Sequence, residues 1–323
     1  MMELKNIVTE IRKYPGITRK RAIGPVIDIL KTMDELTASP VVTNFGEDAA
    51  ALKYHDHYLL LAAEGMWPQF VKAEPYAAGK AAVMASVNDI YAMGGKPLAL
   101  VNVLSAATED DCRLIMEGVR KGCQKLRVPM VGGHLNPDAG ETALSVAILG
   151  TARRLLQCTN AREGQKIVLA VDLNGIDGQC KSVESWDANS GKTSAYILER
   201  LAILPSLAEA DICQTAKDVS NGGILGTLAL LCESSRKGCV VVLDKIPQPP
   251  GMHLLKWLKS FLSFGFILCV DDRNLPPCLD AFHKQGIAAE VIGEIVEQPQ
   301  VVLRSQETEE LLYDFNRESI IGI

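Results

Sequence analysis

The 323-residue sequence predicts an α+β protein of two domains. Three observations predict it. Short apolar runs of strand length alternate with segments of helical period in both halves of the chain. The connections between them are too irregular for a single parallel sheet. The periodicity lapses at Arg153–Gly164, which divides the chain into an N-terminal domain of residues 1–155 and a C-terminal domain of 156–323. A hydrophobic content of 48% is enough to give each half its own core.

The elements follow in order. Leu4, Ile7, Val8 and Ile11 recur at helical spacing and mark the inner face of a first helix. Gly24-Pro25 interrupts a second helical segment that ends near Met33, because proline lacks the backbone donor a helix needs. Tyr58–Ala63 is a compact apolar strand. Pro75 suits a helix start, and a helical pattern runs from it to Met93, stopped by Gly94-Gly95 and Pro97. Leu98–Leu104 reads as a buried strand. Thr108, with Asp111 three residues on, caps a helix whose face is Cys112, Ile115, Met116, Val119, Cys123 and Leu126. Val128–Val131 and Ala143–Thr151 are strands. The second half opens with the strand Lys166–Val171 and a polar loop, Asp172–Lys192. A helix then runs from Thr193 to about Leu204, and Gly222-Gly223 opens another that reaches about Ser235. Val240–Leu243, Phe266–Val270 and Ala288–Val296 are strands, the last two separated by a helix.

Composition narrows the function classes. The net charge of −6 and the 5% aromatic content argue against a chain that coats nucleic acid. Its longest apolar runs, such as Leu59–Ala63, fall far short of the ~20 residues a membrane span needs. Charges within Met1–Lys13 leave no signal-peptide pattern. The nine cysteines are odd in number and lack C-x-x-C spacing, which suits free buried thiols in a reducing cytoplasm and gives no zinc pattern with the five histidines. A cytoplasmic, soluble protein is the expectation.

Four acidic clusters carry the chemistry. Glu47-Asp48 lies between Gly46 and Ala49-Ala50. Glu64 follows the strand Leu59–Ala63. Asp89 interrupts a helix of small and apolar residues, and Asp218 precedes the helix opened by Gly222-Gly223. Each charge sits where burial is costly unless a cation compensates it. Converging carboxylates of this kind offer hard oxygen ligands suited to Mg²⁺ on nucleotide phosphates. Singly, each also reads as a helix cap or a solvated turn. Asp89, in mid-helix, is the hardest to explain that way.

Two glycine turns add to this. Gly94-Gly95 follows the Asp89 helix, and Gly132-Gly133-His134 follows the strand Val128–Val131. Such turns let backbone N–H groups approach phosphate, and they also simply reverse a chain. His134 reads equally as a phosphate or base contact and as the close of a turn. No G-x-G-x-x-G, G-x-S-x-G or H-E-x-x-H is present. Gly191-Lys192-Thr193 is not a phosphate-binding P-loop, because Trp186 stands where its first glycine belongs.

In this order the segments resemble the superfamily of aminoimidazole ribonucleotide (AIR) synthase, selenophosphate synthetase, thiamine-monophosphate kinase and the hydrogenase maturation protein that makes the cyano ligand. The resemblance rests on Asn44-Phe45-Gly46-Glu47-Asp48-Ala49-Ala50, on Leu61-Ala62-Ala63-Glu64-Gly65 and on Ala85-Ser86-Val87-Asn88-Asp89-Ile90-Tyr91-Ala92-Met93-Gly94-Gly95-Lys96-Pro97. It continues through Gly132-Gly133-His134, Lys217-Asp218-Val219-Ser220-Asn221-Gly222-Gly223 and Gly286–Glu294, so it covers nearly the whole chain. It implies two α+β domains, the C-terminal one layered, and a homodimer joined through the N-terminal sheet. It also implies ATP in the dimer cleft with several Mg²⁺ ions. By motif match Glu47, Asp48, Glu64, Asp89 and Asp218 would be metal ligands. Asp48, Glu64, Asn88, Asp89, Gly132, Gly133 and His134 would contact the nucleotide.

Departures narrow the activity. Glu47 and Glu64 stand where the superfamily usually has Asp, which shifts a bound metal by about a bond length, roughly 1.5 Å. No cysteine precedes Cys112, which removes the reactive residue of selenide chemistry. Gly133-His134-Leu135 and Ser220-Asn221-Gly222 differ from the AIR synthase and thiamine-monophosphate kinase patterns. The implied activity is an ATP- and Mg²⁺-dependent phosphotransferase or ligase-like enzyme. It would transfer the γ-phosphoryl group to an amide or carbonyl oxygen, or to a phosphate, of a small metabolite. The loop Gly175–Lys192, with Trp186 and Asp187, reads as the acceptor pocket or as a surface loop, and Lys80 and Lys96 as phosphate contacts or solvated side chains. The alternatives are a nucleotide-binding regulator without turnover and a thiamine-monophosphate kinase.

Overall fold

The structure, a computed structural model, describes residues 4–31, 40–43, 45–178 and 183–323. The expected helix end near Met33, the motif residue Asn44 and Cys180 lie outside the described residues, as does part of the loop Gly175–Lys192.

Helices α1 (Leu4–Arg12), α2 (Pro15–Thr18) and α3 (Ile23–Lys31) open the chain, with a 3-10 turn at Arg19–Ala22. Leu4, Ile7 and Ile11 are buried along α1, as their spacing predicts. The segment packs on the second half of the chain rather than on the first sheet. Arg12 donates to both oxygens of Glu318, at 2.8 and 2.6 Å. Ile17 lies so close to Gly226 that a Cβ there would meet it at 2.7 Å. Gly24-Pro25 does not break a helix. It sits in the first turn of α3, where a missing N–H has no intrahelical partner to lose.

Five strands form the first sheet: β1 (Ala50–Tyr54), β2 (His57–Gly65), β3 (Lys96–Ser105), β4 (Met130–Asn136) and β5 (Ala143–Ala152). Their order is β1-β2-β5-β3-β4, antiparallel except for the β3–β4 pair. Helices α4 (Pro68–Ala73), α5 (Pro75–Ala92) and α6 (Glu109–Leu126) accompany it, and α5 packs directly on β2, β3 and β5. Helix α5 is buried on nearly all sides because α6 covers its outer face. Two glycines make that crossing: a Cβ at Gly79 would lie 2.2 Å from the Ile115 carbonyl oxygen, and one at Gly118 would lie 2.1 Å from that of Tyr76. Thr108 accepts from the Asp111 N–H at 3.1 Å, the cap the sequence predicts. On the far side of the sheet, alternation leaves Leu61, Val101, Val103 and Leu149 uncovered, between 38% and 52% exposed.

The second sheet has seven strands, in the order β15-β14-β10-β13-β6-β12-β9. These are β6 (Lys166–Val171), β9 (Thr215–Asp218), β10 (Gly238–Val242), β12 (Gly265–Val270), β13 (Ala288–Val296), β14 (Gln300–Ser305) and β15 (Thr308–Asp314). A small sheet of β7 (Ile176–Asp177), β8 (Ser185–Asp187) and β11 (Phe261–Leu262) stands beside it. Helices α7 (Ser194–Leu201), α8 (Ile203–Glu209), α9 (Gly223–Ser235), α10 (Leu254–Lys259) and α11 (Leu275–His283) complete the chain. Strand β12, between β6 and the edge strand β9, is buried at every position, which matches its unbroken apolar run.

Three expectations need correction. The single helix from Thr193 to Leu204 is two helices that meet at Ala202, because Pro205 cannot donate to a continued helix. Gly132-Gly133-His134 is not a turn but the middle of β4. Glycine is needed at 133 because β3 runs so close that a Cβ would meet Asn102 backbone and side-chain oxygens at 2.4 Å. The sequence reading also omits β1, β7, β8, β9, β11, β14 and β15, short stretches most of which are interrupted by charged or polar residues.

Candidate functional site

The two sheets and the N-terminal helices enclose a cavity of about 920 Å³. Among the acids that line it, Asp48, Glu64, Asp89 and Asp218 come from separate elements. Asp48 comes from the turn before β1, Glu64 from the end of β2, Asp89 from the last turns of α5 and Asp218 from the end of β9. Alternation along β2 explains one of them: Leu60 and Ala62 face α5, so Glu64 points the same way. Carboxylate oxygens of Asp48, Asp89 and Asp218 lie within 4.8 Å of one another.

Charge is only partly compensated there. Lys217, buried next to Asp218, forms an ion pair with Asp48 and donates to the Gly46 carbonyl at 3.2 Å. The Asp218 N–H donates to the other Asp48 oxygen, also at 3.2 Å. Burial pushes the carboxyls of Asp89 and Asp218 well above the usual carboxylate range, and repulsion among the acids adds to it. Glu64 is raised for the same first reason, against the pull of Lys20 and Lys217. Burial opposes the charge on Lys217, yet Asp48, Cys158 and Asp218 outweigh it, so its ammonium is held more firmly than usual. One Asp89 oxygen is buried with no hydrogen-bond partner. Two carboxylates at this separation repel by roughly 3 kcal/mol at an effective dielectric near 20. If all four acids were ionised they would outnumber Lys20 and Lys217 by two charges, and without a cation Asp89 and Asp218 favour their protonated forms.

Of the remaining expected site residues, Glu47 also lines the cavity, but its carboxylate is already committed to other donors. Glu47 is not free to join a metal. Its carboxylate accepts from the Cys158 N–H at 2.8 Å, the Thr159 N–H at 3.1 Å and the Thr159 hydroxyl at 2.9 Å, so it caps the 3-10 turn Cys158–Asn160. Asn88 is not among the cavity-lining residues; it donates at 3.1 Å to the carbonyl of Ser263, which is, tying α5 to the second domain. Gly132, Gly133 and His134 do not line the cavity, because β4 is the outer strand of the first sheet. His134 pairs with Val103, shares the open face and lies 3.0 Å from the Asn136 side-chain oxygen. Lys80 lines the cavity and Lys96 does not. Trp186 and Asp187 line it too, which places the described part of the Gly175–Lys192 loop at the site.

Sequence reasoning missed Lys20 and Lys217. Lys20, on the 3-10 turn Arg19–Ala22, lines the cavity. Burial and Lys217 lower its basicity, while Glu64, Asp218 and Asp48 oppose that change. In sequence it lies in the basic run Arg19-Lys20-Arg21, which reads as a solvated surface. Lys217 carried a signal: it adjoins Asp218 in an otherwise uncharged stretch.

The eight described cysteines are all free, and no described helix is long and apolar enough to cross a membrane. The sequence pattern of the AIR synthase related protein N-terminal domain matches residues 46–152, and that of the C-terminal domain matches 162–306. An uncharacterized protein of Methanocaldococcus jannaschii is 37% identical over 99% of this chain and 100% of its own length. A selenide, water dikinase of Sulfurimonas denitrificans is 26% identical over 82% of this chain and 83% of its own. Thermotoga maritima PurL, solved in complex with ATP, superposes with a TM-score of 0.71 at 22% identity over 87% of this chain. The chain spans about half of that protein, 48% of its length.

Proposed function

The chain belongs to the AIR synthase related family, and we propose that it is an ATP- and Mg²⁺-dependent enzyme that transfers the γ-phosphoryl group to a small metabolite, or activates one with it. One observation carries the reading: Asp48, Asp89 and Asp218, from three distant segments, bring carboxylate oxygens within 4.8 Å of one another in one cavity. The donor set suits a hard divalent cation, and the unpartnered Asp89 oxygen is a ligand atom without another role. Asp48, Asp89 and Asp218 would hold the metal, with Glu64 at the margin. When bound, Mg²⁺ supplies charge neutralisation on the polyphosphate and the transferring phosphoryl group. Lys217 fixes the Asp48 carboxylate in place. Lys20 brings a second cation to the side of the cavity where Glu64 and Asp218 lie, placed to meet phosphate oxygens. The acceptor oxygen attacks the γ-phosphorus, the bond to the β–γ bridging oxygen breaks, and ADP leaves.

A homodimer through the first sheet belongs to the same proposal. The open apolar face of Leu61, Val101, Val103 and Leu149 suits a second copy, and it would set β4, with Gly132, Gly133 and His134, at the seam beside the nucleotide. No nucleic acid or membrane partner is proposed, and the cytoplasm is the proposed location. The domain division at 155/156 is retained in the proposal. Mg²⁺-dependent release of ADP from ATP, stimulated by a screened set of small phosphorylated and amide metabolites, tests the reading. Asp89→Asn is expected to lower it at least 100-fold. Tight ATP binding with no turnover for any acceptor would instead identify a regulator, and formation of thiamine diphosphate would identify a thiamine-monophosphate kinase.

A further inference from the structure

Glu233 is a buried carboxylate in the last turn of α9, and no step of the phosphoryl transfer uses it. One of its oxygens accepts from the N–H groups of Ile320, Ile321 and Gly322, at 2.9, 3.2 and 3.0 Å, and the other accepts from the Ile321 N–H at 3.0 Å. Three successive N–H groups turned to one side make a concavity for an anion, and here the carboxylate fills it. Gly322, at φ +73°, takes the left-handed conformation that such a curl needs. The curl seats two side chains on the turn before β1. A Cβ on Gly46 would meet Ile323 Cδ1 at 2.5 Å and lie 3.6 Å from Ile321 Cδ1. It would also meet the Oγ of Ser234, the neighbour of Glu233, at 2.7 Å, so α9 and the curl close on Gly46 together. The Gly46 carbonyl accepts from Lys217, and two residues on, Asp48 forms the ion pair with that lysine. Ile321 lines the cavity. A Cβ on Gly24 of α3 would lie 3.0 Å from the Ile321 carbonyl oxygen, so the curl is wedged between α3 and the Gly46 turn.

We infer that Glu233 is a positioning residue for Asp48: it gathers the Ile320–Gly322 curl, the curl sets Ile321 and Ile323 on Gly46, and Gly46 fixes the turn from which Asp48 reaches the cavity. Glu233 is not among the cavity-lining residues, so it acts through that chain of contacts. The turn is held at each of its residues from outside. Cys158 and Thr159 hold Glu47, Lys217 holds the Gly46 carbonyl, and Ile321 and Ile323 cover the Gly46 α-carbon. An apolar contact sets no direction by itself. Direction comes from the charge-assisted hydrogen bonds that pin the backbone carrying the two isoleucines. Without the carboxylate, three N–H groups lose their acceptor and the curl is free to turn toward water. The inference rests on the reading of Asp48 as a metal ligand.

Two readouts on the full chain test it, in Glu233→Gln, Ile323→Ala and Ile323→Leu. The first is hydrogen exchange of the peptide carrying residues 45–50, without ligand. Glu233→Gln and Ile323→Ala should quicken it severalfold, while peptides from β4 exchange as in wild type. The second is the Mg²⁺ concentration that half-saturates AMPPCP binding. It should rise roughly tenfold or more in Glu233→Gln, the usual effect of losing a group that orients a metal ligand. It should rise less in Ile323→Ala and stay within about twofold in Ile323→Leu, which keeps the apolar contact. A lower melting temperature with both readouts unchanged would overturn the inference, because Glu233 would then serve stability alone. Faster exchange at 45–50 with an unchanged Mg²⁺ requirement would overturn it as well. If Glu233→Gln does not fold, the two Ile323 variants decide by the same readouts. Faster exchange in the variants, with no binding of AMPPCP and Mg²⁺ by wild type, would leave the support of the turn standing and overturn the metal and nucleotide reading instead.

Discussion

At the scale of single residues, Glu47 and Asp48 show what adjacency hides. The two acids are adjacent and both line the cavity, yet the turn before β1 sends the Asp48 carboxylate to Lys217 and the Glu47 carboxylate to the N–H groups of Cys158 and Thr159. Their context of small residues made the pair legible as a site, but backbone direction alone divides their roles. Glu47→Gln is therefore expected to cost about 1.5–3 kcal/mol of stability in denaturant melts, the range for hydrogen bonds to a charged group. Calorimetry should show Mg²⁺–AMPPCP affinity within about threefold of wild type. Asp89 gives a pH-dependent contrast. Its folded pKa is raised, so the folded state holds its proton above the usual range, and the cost of its charge grows as pH rises from about 4 toward the folded value. In metal-free protein Asp89→Asn should raise stability by roughly 1–3 kcal/mol at pH 8 and by less at pH 5. An equal gain at both pH values would show that the cost of its charge, set by burial and then by the neighbouring acids, is not what burdens this residue.

At the scale of elements, α5 is the piece that positions the chemistry. The sequence revealed it because Pro75, the run of small residues and Gly94-Gly95 bound a helix of the right length. Its burial on both faces was visible in the absence of a polar stripe. What could not be read was the crossing with α6, since Gly79 and Gly118 look like mere helix weakeners until the two backbones are seen to touch. Ala at 118 would gain about 1 kcal/mol of helix propensity. The clash with the Tyr76 carbonyl should outweigh it, at typically 1–3 kcal/mol or more. Gly118→Ala is thus expected to lower the melting temperature and, through α5, to weaken metal-dependent nucleotide binding. A more stable variant with unchanged binding would show that the close approach has no role. Strand β9 marks the opposite limit. Thr215-Ala216-Lys217-Asp218 has no strand signature, and only pairing with the apolar β12 makes it one.

At the scale of the molecule, two sheets and the N-terminal helices bring Asp48, Glu64, Asp89 and Asp218 together with Lys20 and Lys217 in one cavity. The uncovered face of the first sheet was foreseeable only through the family resemblance, since an alternating strand predicts a solvated polar side and this one carries valine and leucine. Paired substitutions Leu61→Glu and Val103→Glu should convert a dimer to a monomer in light scattering and abolish turnover while circular dichroism stays unchanged. A wild-type chain that is monomeric at working concentration would remove β4 from the site. The central claim, that the acid cluster grips a metal-bound nucleotide, is tested most directly by titration calorimetry of AMPPCP with and without Mg²⁺ in wild type, Asp89→Asn and Asp218→Asn. Wild type is predicted to bind only with Mg²⁺, and each variant at least tenfold more weakly. Equal binding without the metal, or undiminished binding in both variants, would contradict it.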